Sequence, residues 1–149
     1  MSTEDMEVDD AVRALLLLMP RMVGRAKRIK IPEELQSLSL APRHLSLLSY
    51  LLFDGPMTVN ELAERLEVAP TTVSLMVGEL SKKDVLDRRE DEADRRRRIV
   101  AITERMRPAI DGWLAQGARA WQKALAPLSP AERRTFIDTL RAYEDGLTD

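Results

Sequence analysis

The chain has 149 residues, 44% of them hydrophobic, which is room for one domain with a substantial core. It has no cysteine and a single histidine, His44. That excludes a disulfide framework, thiol redox chemistry and a histidine- or thiolate-clustered metal site. The net charge is only −2, so charge must be read by segment rather than in sum.

Residues 1–10 hold five acids and no base and read as a disordered acidic tail. This start is the opposite of a basic secretory leader. The longest apolar run, Ala14 to Met19, is closed by Pro20 and Arg21, too short for a membrane span. A cytoplasmic location without membrane contact is therefore expected. Residues 11–32 hold six bases and no acid, and Arg21, Arg25, Lys27, Arg28 and Lys30 read as a solvated face.

The first helical stretch places Val12, Leu15, Leu16, Met19, Met22, Val23, Ala26 and Ile29 at three- and four-residue steps. Pro20 should bend or locally break it, because proline removes a donor and crowds the preceding turn. A second helix is expected from about Pro42 to Phe53, with Leu45, Leu48, Leu51 and Leu52 inward and Asp54-Gly55-Pro56 ending it. His44, near its start, reads as a surface or satisfied polar residue. Thr58-Val59-Asn60-Glu61 has the form of a capping box and opens a short helix with Leu62, Ala63 and Leu66 inward. After a break at Glu67-Val68-Ala69, Pro70 starts another helix with Val73, Met76, Val77 and Leu80 as its buried stripe. Lys82-Lys83-Asp84 closes it.

The period then changes. Val85 to Arg88 and Ile99 to Ile102 read as two short strands, joined by a nearly all-charged segment. Two helices, a tight turn and a charged hairpin make a winged helix-turn-helix over residues 42–103. Two long helices follow. One spans about Glu104 to Ala126 and carries Trp113 and Trp121. The other opens with a capping box at Ser129-Pro130-Ala131-Glu132 and carries Phe136 and Tyr143. These aromatic residues read as core and interface. The apolar stripes of 11–38 and 104–149 exceed what one small chain can hide, and they predict dimerisation helices. The fold class is thus mainly α with a small β-wing, in a single domain over 11–149.

Six bases lie between Arg88 and Arg98. Alone, such a run reads as a solvated loop balanced by Glu90, Asp91, Glu92 and Asp94. Behind a helix-turn-helix it reads instead as guanidinium forks for phosphates and a narrow minor groove. No phosphate loop, nucleophile–base pair or ligand cluster points to an enzyme, a metal or a cofactor.

Asp94-Arg95-Arg96-Arg97-Arg98-Ile99-Val100-Ala101-Ile102-Thr103 resembles the wing motif of the MarR family of bacterial transcriptional regulators. Thr58 through Leu66, Thr71-Thr72-Val73-Ser74 and Leu80-x-Lys82-Lys83 resemble the two DNA-binding helices of that family in their usual spacing. The chain departs at Leu75 and Glu79, where the family carries basic residues, at Asp84, where it carries glycine, and at Met106 and Pro108. The resemblance implies a homodimer on double-stranded DNA, repressing from a pseudo-palindromic operator. It implies DNA contacts from Thr71, Thr72, Ser74, Leu75, Lys82, Lys83, Arg88, Arg95, Arg96 and Arg97, with Asp94 orienting the wing. It also implies a small aromatic or lipophilic effector between the dimerisation helices and the winged unit, at Met22, Leu47, Tyr50, Leu51 and Trp113. A packed core explains those five residues equally. The competing function is a winged protein-interaction module that reads no DNA, which Leu75 and Glu79 leave open.

Overall fold

The computed structural model describes residues 5–40 and 42–148. The chain runs α1 (Val8–Ala26), α2 (Glu33–Gln36), α3 (Pro42–Asp54), α4 (Val59–Leu66) and α5 (Pro70–Lys82). The hairpin β1 (Leu86–Glu90) and β2 (Arg98–Ile102) follows, then α6 (Arg107–Leu125) and α7 (Pro130–Gly146). The mainly helical winged architecture expected from the pattern is what the chain adopts.

The core lies inside the winged unit. Leu47, Leu48 and Leu51 of α3, Leu62 of α4, and Val73, Val77 and Leu80 of α5 are fully buried, together with Val85, Leu86 and Val100. Ile110 closes this core from α6. Leu35 and Leu38, in the segment expected to serve dimerisation, bury in the same core instead.

Helix boundaries differ from the periodicity for local reasons. The helix α1 begins at Val8, so the last three residues of the expected acidic tail are helical, with Asp9 and Asp10 in the first turn where the helix dipole favours acids. Residues 1–4 of that tail lie outside the described residues. Pro20 sits inside a continuous helix. Helix α1 stops at Ala26, short of Ile29, in turns closed by Arg28 N–H to the Arg25 carbonyl and Ile29 N–H to the Ala26 carbonyl. Pro32 then disfavours helical backbone at Ile31. At the other end, α6 starts at Arg107 rather than Glu104, because Pro108 lacks an N–H and is tolerated only in the first turn.

Left-handed residues make the sharp turns that follow α4 and α5. Glu67 (φ 56°) ends α4, with the Val68 N–H donated to the Ala63 carbonyl at 3.1 Å. Asp84 (φ 60°) ends α5, with the Val85 N–H donated to the Leu80 carbonyl at 2.9 Å. Aspartate tolerates this backbone better than most residues. It is also held from outside, since Thr103 Oγ1 donates to its carbonyl at 2.9 Å and Arg105 Nε to its carboxylate at 2.8 Å.

The hairpin is antiparallel, with Leu86 opposite Ile102 and Glu90 opposite Arg98. A one-residue third strand, Met57, pairs with Val100 through bonds of 3.2 and 2.7 Å and ties the α3–α4 loop to the wing's base. At the C-terminal end, Arg133 donates to the carbonyls of Leu125 and Ala126 at 3.0 and 3.1 Å and so caps α6 from α7. The Trp121 and Phe136 rings meet with centroids 5.7 Å apart. Neither α1 nor α7 contains a buried residue. Among the described residues, no helix is long and apolar enough to cross a membrane.

The capping box at the head of α7 is complete: Ser129 N–H donates to Glu132 Oε1 at 2.8 Å and Glu132 N–H to Ser129 Oγ at 3.1 Å. The Ser129 N–H, then the Ser129 hydroxyl, hold the Glu132 carboxyl below its ordinary value. A depressed carboxylate stabilises the fold above its unfolded pKa, and that contribution disappears as pH falls through the lowered folded value. In a carbon-detected NMR titration Glu132 should protonate at lower pH than a glutamate in a model peptide. Ser129→Ala should move it upward; a titration unchanged by that substitution would contradict the cap's role.

Candidate nucleic-acid interface

The surface expected to meet DNA is built from α5 and the hairpin. Pro70 occupies the first turn of α5, no side chain caps its start, and the Thr72 and Val73 N–H groups donate to the Ala69 carbonyl at 3.0 and 3.3 Å. Burying Val73, Met76, Val77 and Leu80 turns the opposite face outward. On it Thr71, Ser74 and Leu75 are exposed, Leu75 at 69%, while Thr72 is half-buried.

A groove of about 330 Å³ joins helix to wing, lined by Val59, Ser74, Arg88, Arg98, Ile99 and Val100. Strand register explains its chemistry. Arg88 pairs with Val100 and Glu90 with Arg98, so Arg88 and Arg98 project from the same face of the ribbon. The structure thus brings Ser74 and Arg88 together.

The arginines beyond this groove are not equivalent. Strand pairing reaches only Arg98, so Arg95 to Arg97 lie in the turn and do not alternate as strand residues would. Asp94 orders that turn: its carboxylate accepts from Arg96 N–H at 3.1 Å, and its carbonyl accepts from Arg97 N–H at 2.9 Å. The Arg96 side chain is 96% exposed, with Nε 3.7 Å from Asp94 Oδ1. Arg95 is exposed and makes no ion pair among the described residues. Arg97 is turned back onto the body, where Nη2 donates to Glu61 of α4 and Nη1 lies 3.5 Å from Asp91.

Glu61 is the residue that pattern reading misassigned. Thr58 Oγ1 does accept the Glu61 N–H at 3.1 Å, so half of the expected box forms. The Glu61 carboxylate, expected to reach back to the Thr58 N–H, goes to Arg97 instead. The sequence carries no signal for this diversion, because the arginine is 36 residues away.

Three further placements matter. Lys82 is exposed in the last turn of α5, but the Lys83 ammonium donates to the Leu38 carbonyl at 2.8 Å and points into the body. His44 is buried on α3, with Nε2 3.4 Å from Glu79 Oε2 on α5, so it is the satisfied polar residue of the two readings rather than a surface one. Among the expected effector residues, Leu47 and Leu51 are wholly buried in the core and present no face to a ligand. Tyr50 and Trp113 pack at its edge, while Met22 is 43% exposed on α1. The single chain does not enclose these five residues as one pocket.

Comparison with known proteins places this architecture. Residues 38–97 match the sequence profile of the MarR family. The transcriptional repressor MdtR of Bacillus subtilis is 36% identical over 76 residues, 49% of this chain and 49% of that protein. Over residues 38–97 the chain is therefore similar to MarR-family proteins. Its match thus spans about half the length of MdtR. Among solved structures, RV1404 from Mycobacterium tuberculosis superposes with a TM-score of 0.66 at 22% identity, covering 97% of both chains. The PcaV transcriptional regulator from Streptomyces coelicolor, solved with its natural ligand, gives 0.58 at 22% identity over 97% of this chain and 98% of that one. Both superpositions extend the likeness in fold beyond the profile, to the helices that lie outside 38–97.

The two lysines give a test of the surface. Removing a cation that neutralises a DNA phosphate lowers the slope of log affinity against log salt by about one. Lys82→Met should do so, whereas Lys83→Met should leave the slope unchanged, because its ammonium is committed to Leu38. Salt titrations on any duplex the protein binds check this; equal slope changes would contradict the assignment.

Proposed function

We propose that the protein is a DNA-binding transcriptional regulator that acts as a homodimer on a pseudo-palindromic operator, with repression as its outcome. The observation that carries this reading is the groove that joins Ser74 of α5 to Arg88 and Arg98 of the hairpin, with Thr71 exposed on the same helix and Arg95 and Arg96 exposed beyond it. Helix α5 enters the major groove, where hydroxyls donate to phosphates or base edges and Leu75 meets a thymine methyl. The wing lays Arg96 and Arg95 in the flanking minor groove. MdtR is named a repressor, which supports the direction of regulation.

Dimerisation is supported by what α1 leaves uncovered. Val12, Leu15, Leu16, Leu17, Leu18 and Val23 are each at least 43% exposed, and Leu140 and Tyr143 of α7 and Leu147 just after it are similarly open. A stripe of this extent in water favours association. A second copy covers it with the same stripe, giving two heads related by a two-fold axis. PcaV was solved with a ligand, and a small aromatic or lipophilic effector is proposed here too. It would seat at the α3–α6 seam beside Tyr50 and Trp113, and change the separation of the heads.

Selection from a pool of random duplexes tests the reading. It should enrich an inverted repeat with half-sites about one helical turn, ~34–36 Å, apart. No enriched sequence, with no binding to any duplex at low salt, would favour the protein-interaction module. On the selected duplex, Arg96→Ala should weaken binding by about 1–3 kcal/mol if it reads a base. The salt slope should drop by about one while circular dichroism stays unchanged. Unchanged affinity and slope would remove the wing from the interface.

A further inference from the structure

The hairpin is anchored at its base and projects beyond it. Met57 pairs with Val100, and Thr103 N–H donates to the Val85 carbonyl at 3.0 Å. From Val100 to Arg97 the ribbon extends ~10 Å past that anchor. A two-stranded ribbon of this kind is marginal without further support. Among the described residues, the hydrogen bond and ion pair from the distal turn to the helical body is that of Arg97 with Glu61.

The surroundings of Arg97 make it a junction. Its guanidinium spans Glu61 of α4 and Asp91 at the start of the turn. Its carbonyl accepts the Asp91 N–H at 3.0 Å, and its own N–H goes to the Asp94 carbonyl. One residue therefore closes the turn through its backbone and fastens that turn to α4 through its side chain. Two carboxylates neutralise its charge, which leaves little for a phosphate. Arg95 and Arg96 carry the cationic tip instead.

We infer that Arg97 is a positioning residue and not a DNA contact, and that with Glu61 it clasps the wing to the first helix of the helix-turn-helix. The inference rests on the DNA-binding reading for its consequence: the clasp holds Arg95 and Arg96 at a fixed offset from α5, so that minor-groove and major-groove contacts form together. Glu61 acts through Arg97 and touches no DNA.

Simple electrostatics and the clasp give opposite signs. Removing an acid beside DNA ordinarily strengthens binding. The clasp predicts that Glu61→Gln weakens it, by about three- to fivefold for a partly exposed ion pair. Arg97→Gln should weaken binding equally with an unchanged salt slope, since no phosphate partner is lost. The double variant should cost no more than either single one, the mark of two residues acting as a pair.

The experiment is a salt titration of the four full-length proteins on the duplex selected above, with amide hydrogen exchange of each free protein. In Glu61→Gln, exchange at the Asp91 and Arg97 amides should accelerate while the α3 and α5 amides stay protected. If Glu61→Gln binds more tightly, or Arg97→Gln lowers the slope by about one, Arg97 is a phosphate contact and the inference is overturned. Unchanged exchange at Asp91 and Arg97 overturns it as well. If the parent protein binds no duplex, the DNA reading fails, and the exchange data alone decide whether the clasp exists.

Discussion

The rest of the structure depends on where apolar surface is and is not covered. The winged unit closes its own core, from Leu35 through Ile110, and needs nothing further to hold α5 and the hairpin. The terminal helices do the opposite. Neither α1 nor α7 buries a residue, and the long run Leu15–Leu16–Leu17–Leu18 faces outward. At roughly 25 cal/mol for each Å² removed from water, such a stripe has a strong reason to find another. The proposed second copy answers that need. It also explains why a winged unit of about sixty residues is carried on helices that contribute little to its core.

Charge is organised as tightly as the apolar surface. The hairpin is rich in arginine, yet Arg89, Arg96, Arg97 and Arg98 each have a carboxylate within 4 Å. Exposed pairs of this kind are individually weak, and a phosphate can compete for a single contact such as that of Arg96, less readily for the doubly paired Arg97. What remains open to a phosphate is Arg88 at the groove, Arg95 and the almost wholly exposed Arg96. A chain with a net charge of −2 can therefore present a cationic edge, because its acids are spent locally within the hairpin and on α4. On α5, Glu79 Oε2 lies 3.4 Å from Nε2 of the buried His44.

Much of this was legible in the residues. Three-and-four spacing marks α3 to α7, because burial of one stripe is a local property of each helix. The switch to Val-Leu and Ile-Val-Ala-Ile marks the hairpin, and Asp84 was readable as a left-handed turn because few residues tolerate one. Contacts between distant segments were not legible. Periodicity cannot tell that Met57 pairs with Val100, that Lys83 reaches back to Leu38, or that Glu61 prefers Arg97 over its own helix cap. The stripe of α1 also overran its helix to Ile29, since apolar spacing continues into the turn that Pro32 enforces. The expected effector residues were ambiguous for a different reason. Leu47 and Leu51 have the right chemistry for a pocket and for a core, and only three-dimensional packing separates the two.

The central claim is that the terminal helices exist to join two reading heads. Sedimentation equilibrium of the full chain, alone and with the selected duplex, tests it directly. The account predicts twice the 16.9 kDa chain mass in the absence of DNA and two chains on each duplex. A charge placed in the stripe, Leu16→Glu, should shift the free protein toward single chains while the winged unit keeps its helicity. A free protein that sediments at the mass of one chain at micromolar concentration, and binds the duplex one to one, would contradict it.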